Sequence, residues 1–305
     1  MKTLKTYIED TLLLEGLTPG DLDTVKLTKL INKNYDVTGL DITDERDDEG
    51  RLIVNAESVS AKKNIKHLTD GLFIWGSIRN DFTAYQCNKL TSLEGAPKIV
   101  GGKFGFGSKL LTSLEGAPKE VGSINIQCKL LTSLEGVPEK IKNDVYIVCD
   151  TLTSLKGLPE KINGNSFICK GHFTSLDGGP KKVNGNFVLY QCSKLTSLNG
   201  GPTEVGGEFS CSSCRALKTL EGAPKKVDGN FGCVGDNKLI SLKGAPEKVG
   251  GNFDCHGCES LKSLEGAPKE VGGNFHCQGC KTQFTKDDVL NVSNVNGTIR
   301  TSWKE

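Results

Sequence analysis

The 305-residue chain has no apolar run approaching the ~18 residues that a membrane-spanning helix needs. Its one candidate leader, residues 7–14, is interrupted by Glu9 and Asp10, which predicts a cytoplasmic protein with no membrane association. Charge of one sign is also missing. The 38 Lys and Arg residues face 37 Asp and Glu, and the resulting +1 is too little for a chain-wide binder of polyanions. Histidine is scarce, and none of His67, His172, His256 and His276 adjoins a recognisable nucleophile. No phosphate-binding glycine loop, nucleophile elbow or His-Glu-x-x-His pair occurs. These absences predict a protein that is not an enzyme and carries no cofactor.

What the chain does have is an internal repeat. The unit opens at Leu90, Leu111, Leu131, Leu152, Phe173, Leu195, Leu217, Leu239 and Leu261, at spacings of 20 to 22 residues. Five residues after each opening stands a glycine, Gly95 through Gly266, and two further on a proline, Pro97 through Pro268. Helical hairpin repeats need 33 residues or more, so this period fits one coil of a solenoid. The expected fold is all-β: a leucine-rich-repeat-like β-solenoid of about nine to ten coils, each 20–22 residues long. Leu261-x-x-Leu264 and Phe275-x-Cys277 read as its strands. Gly-x-Pro and the Gly-Gly or Asn-Gly before the phenylalanine read as corners.

The run from Phe253 through Cys255, Cys258, Leu261, Leu264, Pro268 and Val271 resembles the BspA-type leucine-rich repeats. Its Leu-Thr-Ser-Leu-Glu-Gly-Ala-Pro-Lys wording is also similar to repeat proteins of large tailed phages. The resemblance covers residues 81–282 and implies an interaction scaffold that binds another protein. The phage-like wording implies a host factor that is blocked or recruited in the host cytoplasm.

The ends differ in composition. Residues 1–61 read as a capping segment, with helices over 2–15 and 21–34 and a hairpin pairing 37–42 with 51–54 around an acidic turn. Two helices and a hairpin also describe a winged helix, but six acids between Asp41 and Glu49 would repel DNA phosphates. Residues 62–282 form the solenoid and 283–305 a C-terminal cap, whose short helix is announced by a capping box from Thr285 to Asp288.

Cys255-x-x-Cys258 and Cys277-x-x-Cys280 match the spacing of a zinc site. The repeat register offers another account. The slot of Cys255 and Cys277 is filled by Phe106, Ile147 and Leu189 in other coils, which marks an inward core position. Cys258 and Cys280 occupy a corner slot shared with Cys192, Cys214 and Asp236.

Residues 1–61 carry a net charge of −6 and residues 62–305 carry +7. The basic excess gathers in the middle coils, at Lys181, Lys182, Lys194, Arg215, Lys218, Lys225, Lys226 and Lys238. This stripe is the expected surface for a protein partner. Nucleic acid is disfavoured because stacking would need exposed aromatics and the phenylalanines are inward. The competing expectation is a zinc-stabilised solenoid that binds nucleic acid.

Overall fold

The structure is a computed structural model and describes residues 24–63, 65–69 and 73–303, so the helix expected over 2–15 lies outside the described residues. The chain divides into two compact units, an N-terminal one of residues 1–130 with 135–140 and a C-terminal one of residues 131–134 with 141–305. This division falls inside the repeat, away from the composition changes at 61 and 283. Together the units hold about 11 coils of parallel β-solenoid.

In the N-terminal unit, helix α1 (Thr24–Asn34) buries Leu27 and Ile31, one turn apart on a single face. Four short strands follow: β1 (Tyr35–Thr38), β2 (Asp41–Arg46), β3 (Leu52–Ala56) and β4 (Ser58–Ala61). The expected hairpin is two pairings. Val37 on β1 opposes Val59 on β4, whereas Ile42 on β2 opposes Val54 on β3, both antiparallel. Gly39 separates β1 from β2 with φ of +57°, a conformation open to glycine. β3 then pairs in parallel with β5 (Phe73–Ile78), and β4 with β6 (Phe82–Ala84). Parallel stacking therefore begins at Leu52, inside the expected cap. It continues through β7 (Ile99–Ser108) and β8 (Glu120–Cys128), two long strands. Around them Trp75 meets Tyr35, Phe73 and Phe82 edge to face, with ring centroids 5.1–5.9 Å apart.

The C-terminal unit is more regular. Its first parallel ladder runs through Val145–Cys149, Ser166–Lys170, Asn186–Leu189, Phe209–Ser210, Phe231–Gly232, Phe253–Asp254, Phe275–His276 and Ile299–Arg300. Its second runs from Lys161–Ile162 through Lys182–Val183 and Glu204–Val205 to Asn294–Val295. The first ladder holds the phenylalanine segments, as expected. The second is not the Leu-x-x-Leu segment but the pair of residues around the valine that follows each proline. The reason lies in the backbone accounting. Leu152, Leu195, Leu217, Leu239 and Leu261 donate their N–H within their own coil, as Leu195 does to Cys192 O and Leu217 to Cys214 O. A second turn closes at the glycine corner, where Ala223 N bonds Leu220 O. The leucine segment keeps only scattered bonds between coils, as Thr196 N to Thr174 O and Leu220 N to Lys243 O, and does not run as a strand.

In the first ladder Phe167, Phe187, Phe209, Phe231, Phe253 and Phe275 stand in register, with successive ring centroids 4.7–5.6 Å apart. All six are buried, each contributing about 2–3 kcal/mol of transfer free energy. At the corner before them, side-chain oxygens accept the next coil's backbone N–H. Asn230 Oδ1 takes Asn252 N at 2.9 Å, Asn252 Oδ1 takes Asn274 N at 2.8 Å, and Asn274 Oδ1 takes Thr298 N at 2.8 Å. Thr298 ends this series, because its hydroxyl also turns back to Asn274 Oδ1, at 3.0 Å.

The C-terminal cap contains the expected capping box, with Asp288 N bonded to Thr285 Oγ1 and Thr285 N to Asp288 Oδ2 ahead of α2 (Lys286–Leu290). Beyond α2, Asn294–Val295 and Ile299–Arg300 extend both ladders. The cap is a helix and one further coil, and together with the coils begun at Leu52 it raises the count above the nine to ten expected.

Candidate functional site

The tight turn at the opening leucine decides which side chains leave the surface. Because Leu195, Leu217 and Leu239 point inward, fully buried, the residues beside them project outward. Lys194, Arg215, Lys218 and Lys238 are exposed on this corner in three successive coils. The corner segments 193–197, 215–219 and 237–241 contain no Asp or Glu. None of the four cations has an ion-pair partner among the described residues.

One acid lies beneath this corner. Asp236 is fully buried, with Oδ2 3.9 Å from the Cys211 thiol and Oδ1 without a hydrogen-bond partner among the described residues. Burial pushes its carboxyl up to about 8, so near pH 7 it is protonated and leaves the cations above it uncompensated.

The other four residues of the expected basic stripe lie elsewhere on the coil. Lys182 and Lys226 are in the second ladder, where Lys182 Nζ is 2.6 Å from Glu204 and Lys226 Nζ is 3.0 Å from Asp228. Lys181 Nζ donates to Gly200 O at 2.6 Å, and Lys225 sits one residue ahead of Lys226, sharing a shallow groove with Glu247. The structure thus splits the octet by place: four cations gather at the corner, and four lie at or beside the second ladder, where Lys182 and Lys226 are ion-paired. Sequence order alone hides the split, since Glu204 is 22 residues from the lysine it neutralises.

A feature of the same unit missed by the sequence reading is an apolar outer sheet face. Tyr146, Val148, Ile168, Val188 and Tyr190 all point away from the core, and Tyr190 is 53% exposed. The signal was present. Val145–Cys149 is apolar at both parities, whereas a half-buried strand alternates.

The cysteines take the places that the register implies. Cys255 and Cys277 are buried in the inward column. Cys258 and Cys280 stand at the corner, where their thiols donate to Cys233 O at 3.1 Å and Cys255 O at 3.3 Å. Burial pushes Cys277 up to about 12, and the Cys280 thiol together with burial raises Cys255. Zinc needs ionised sulfurs converging on one point. Among the described residues no group of three or more His, Cys, Asp or Glu side chains converges in that way.

His256 and His276 meet over Asp254, with Nδ1 2.6 and 3.6 Å from its two oxygens, and Trp303 lies edge-on to His256 at 5.6 Å. No described helix is long and apolar enough to cross a membrane. Comparison with protein-family models, with curated proteins and with solved structures returned no match.

Proposed function

We propose that this chain is a non-enzymatic interaction scaffold that binds an acidic protein through the basic corner of its C-terminal unit. The observation that carries this reading is the set of Lys194, Arg215, Lys218 and Lys238, four exposed cations on three successive coils with no carboxylate beside them. Like charges held close together repel, and a partner's carboxylates relieve that repulsion. The rigid coils hold the charges in place before binding, which lowers the ordering cost. The resemblance to BspA-type repeats supports an adhesive role, and the phage-like wording makes a host factor the natural partner.

The test is capture of a partner from nuclease-treated bacterial lysate on full-length chain, read by mass spectrometry and then by affinity. Reversal of Lys194, Arg215, Lys218 and Lys238 to Glu should weaken binding at least 100-fold, roughly 1 kcal/mol or a little less per charge. Reversal of Lys181, Lys182, Lys225 and Lys226 should change it less than about threefold, because two of these lysines already face acids. Equal losses in both variants, or retention of nucleic acid in place of protein, would overturn the reading.

A further inference from the structure

Contacts between an inward cysteine and the corner slot of the next coil recur along the C-terminal unit. Cys211 meets Asp236, Cys258 donates to Cys233 O, and Cys280 donates to Cys255 O, each pair 25 residues apart. In the last two pairs the thiols also bond one another, the inward sulfur against the corner sulfur. Burial is where these two pairs part. All twelve cysteines are thiols, and Cys280 alone keeps part of its surface open. Cys233, Cys255 and Cys258 are fully covered.

The contacts of Cys280 suit a nucleophile. As a thiol it donates to Cys255 O at 3.3 Å. As a thiolate it accepts instead, from the Cys255 S–H and from the Cys258 N–H. The Cys255 bond holds Cys280 below the ordinary thiol range. Burial and the Asp254 charge oppose that shift, and the Cys258 N–H adds to it. Cys255 is pushed the other way and keeps its proton. A reachable sulfur that ionises therefore touches a buried sulfur that does not, which is how an attacking thiol is paired with a resolving one.

We propose that Cys280 is a modification site for hydroperoxides, and that Cys255 converts the product into a disulfide between neighbouring coils. In the first step the Cys280 thiolate attacks the peroxide. An S–O bond forms, the O–O bond breaks, and the departing alkoxide takes a proton from solvent. In the second step the Cys255 sulfur attacks that of Cys280. The S–S bond forms, the S–O bond breaks, and hydroxide leaves with the Cys255 proton as water. The two thiols together lose two electrons, and one hydroperoxide becomes an alcohol and water. The new bond links residues 25 apart and ties the coil of Phe253 to that of Phe275. The inference is separate from the basic-corner reading, whose cations end at Lys238.

Hydrogen peroxide in small excess over the folded full chain tests it, read by intact mass and peptide mapping. The mass should fall by two hydrogens, the bond should map to Cys255 and Cys280, and dithiothreitol should reverse it. Cys280 should react at least about tenfold faster than Cys258, its buried equivalent in the preceding coil. Cys280→Ser should abolish the change in mass. Cys255→Ala should leave Cys280 at the sulfenic acid, which dimedone captures. The rates and the mapping are read on the unsubstituted chain, so they decide the matter whether or not the variants fold. Four outcomes would overturn the proposal: no change in mass, equal rates at Cys280 and Cys258, a bond from Cys280 to Cys258, Cys277 or a second copy, or no dimedone adduct on folded Cys255→Ala.

Discussion

The two units build their cores differently from the same kind of coil. In the N-terminal unit the aromatic contacts are edge to face or tilted, centred on Trp75, whose neighbours Tyr35, Phe73 and Phe82 come from different strands. In the C-terminal unit one slot of six successive coils holds phenylalanine, and from Phe167 to Phe253 the rings lie 4° to 18° from parallel before tilting by 42° at Phe275. The ladder register brings each ring over its own image whether 20 residues separate the two, as from Phe167 to Phe187, or 22, as from Phe187 to Phe209. Rings of different kinds meeting from different strands take the edge-on contacts that their quadrupoles prefer. A column of one residue type therefore exchanges the better ring geometry for register.

The sharpest way to break this comparison is to remove one ring from each core. Phe231→Ala should cost about 5 kcal/mol, because rings held at coil spacing cannot close the gap. Phe104→Ala should cost about 3 kcal/mol, since Phe82 and Phe106 approach it at tilted angles and can lean in. Chemical denaturation with Trp303→Phe as background leaves the buried Trp75 as the reporter for the N-terminal unit, while hydrogen exchange follows the other. Equal costs would mean that register does not stiffen the C-terminal core.

A middle-sized effect belongs to Asp236, an acid in the corner slot where other coils place thiols. Folded, its carboxyl keeps its proton up to about pH 8, and unfolded it loses it near the ordinary carboxylate value of 3.8. The folded state thus binds more protons between those limits. Stability from this group is largest at low pH, falls as pH rises to about 8, and then levels. Asp236→Asn should raise stability at pH 8 by on the order of 3 kcal/mol and by much less at pH 5, flattening that slope in denaturant titrations. A variant no more stable at pH 8 than at pH 5, relative to the parent chain, would contradict the assignment.

The smallest effect sharpens the comparison at the corner. Asn252→Ala leaves Asn274 N without its acceptor and should cost about 1–2 kcal/mol. Protection of the Asn274 amide against hydrogen exchange should fall with it, while the Ser77 amide, held by Asn55 Oδ1 in the N-terminal unit, should be unchanged.

Repetition also explains which parts of the molecule could be read in advance. Nine copies of one wording compare each inward slot with eight others, so Cys255 could be recognised as a core residue from Phe106 and Leu189 alone. The glycine corners were legible for the same reason. Gly222 has φ of +90°, and a Cβ there would collide with the backbone of Leu198 and Asn199. The second ladder was misplaced because leucine spacing says nothing about where a backbone N–H is spent. The Tyr146–Tyr190 face was missed because it departs from the repeat, and a consensus averages departures away. The basic charge could be counted along the chain, but the pairing of Lys182 with Glu204 happens between neighbouring coils, where sequence order does not show it.

Thr298 has one more consequence. Every coil before it in the asparagine series reaches forward, so each finished coil is an unfilled vacancy for another like it. By folding its hydroxyl back onto Asn274, Thr298 acts in that series as a polymer chemist's chain terminator: it takes the hydrogen bond offered by the coil before it and spends its own side chain on the same acceptor.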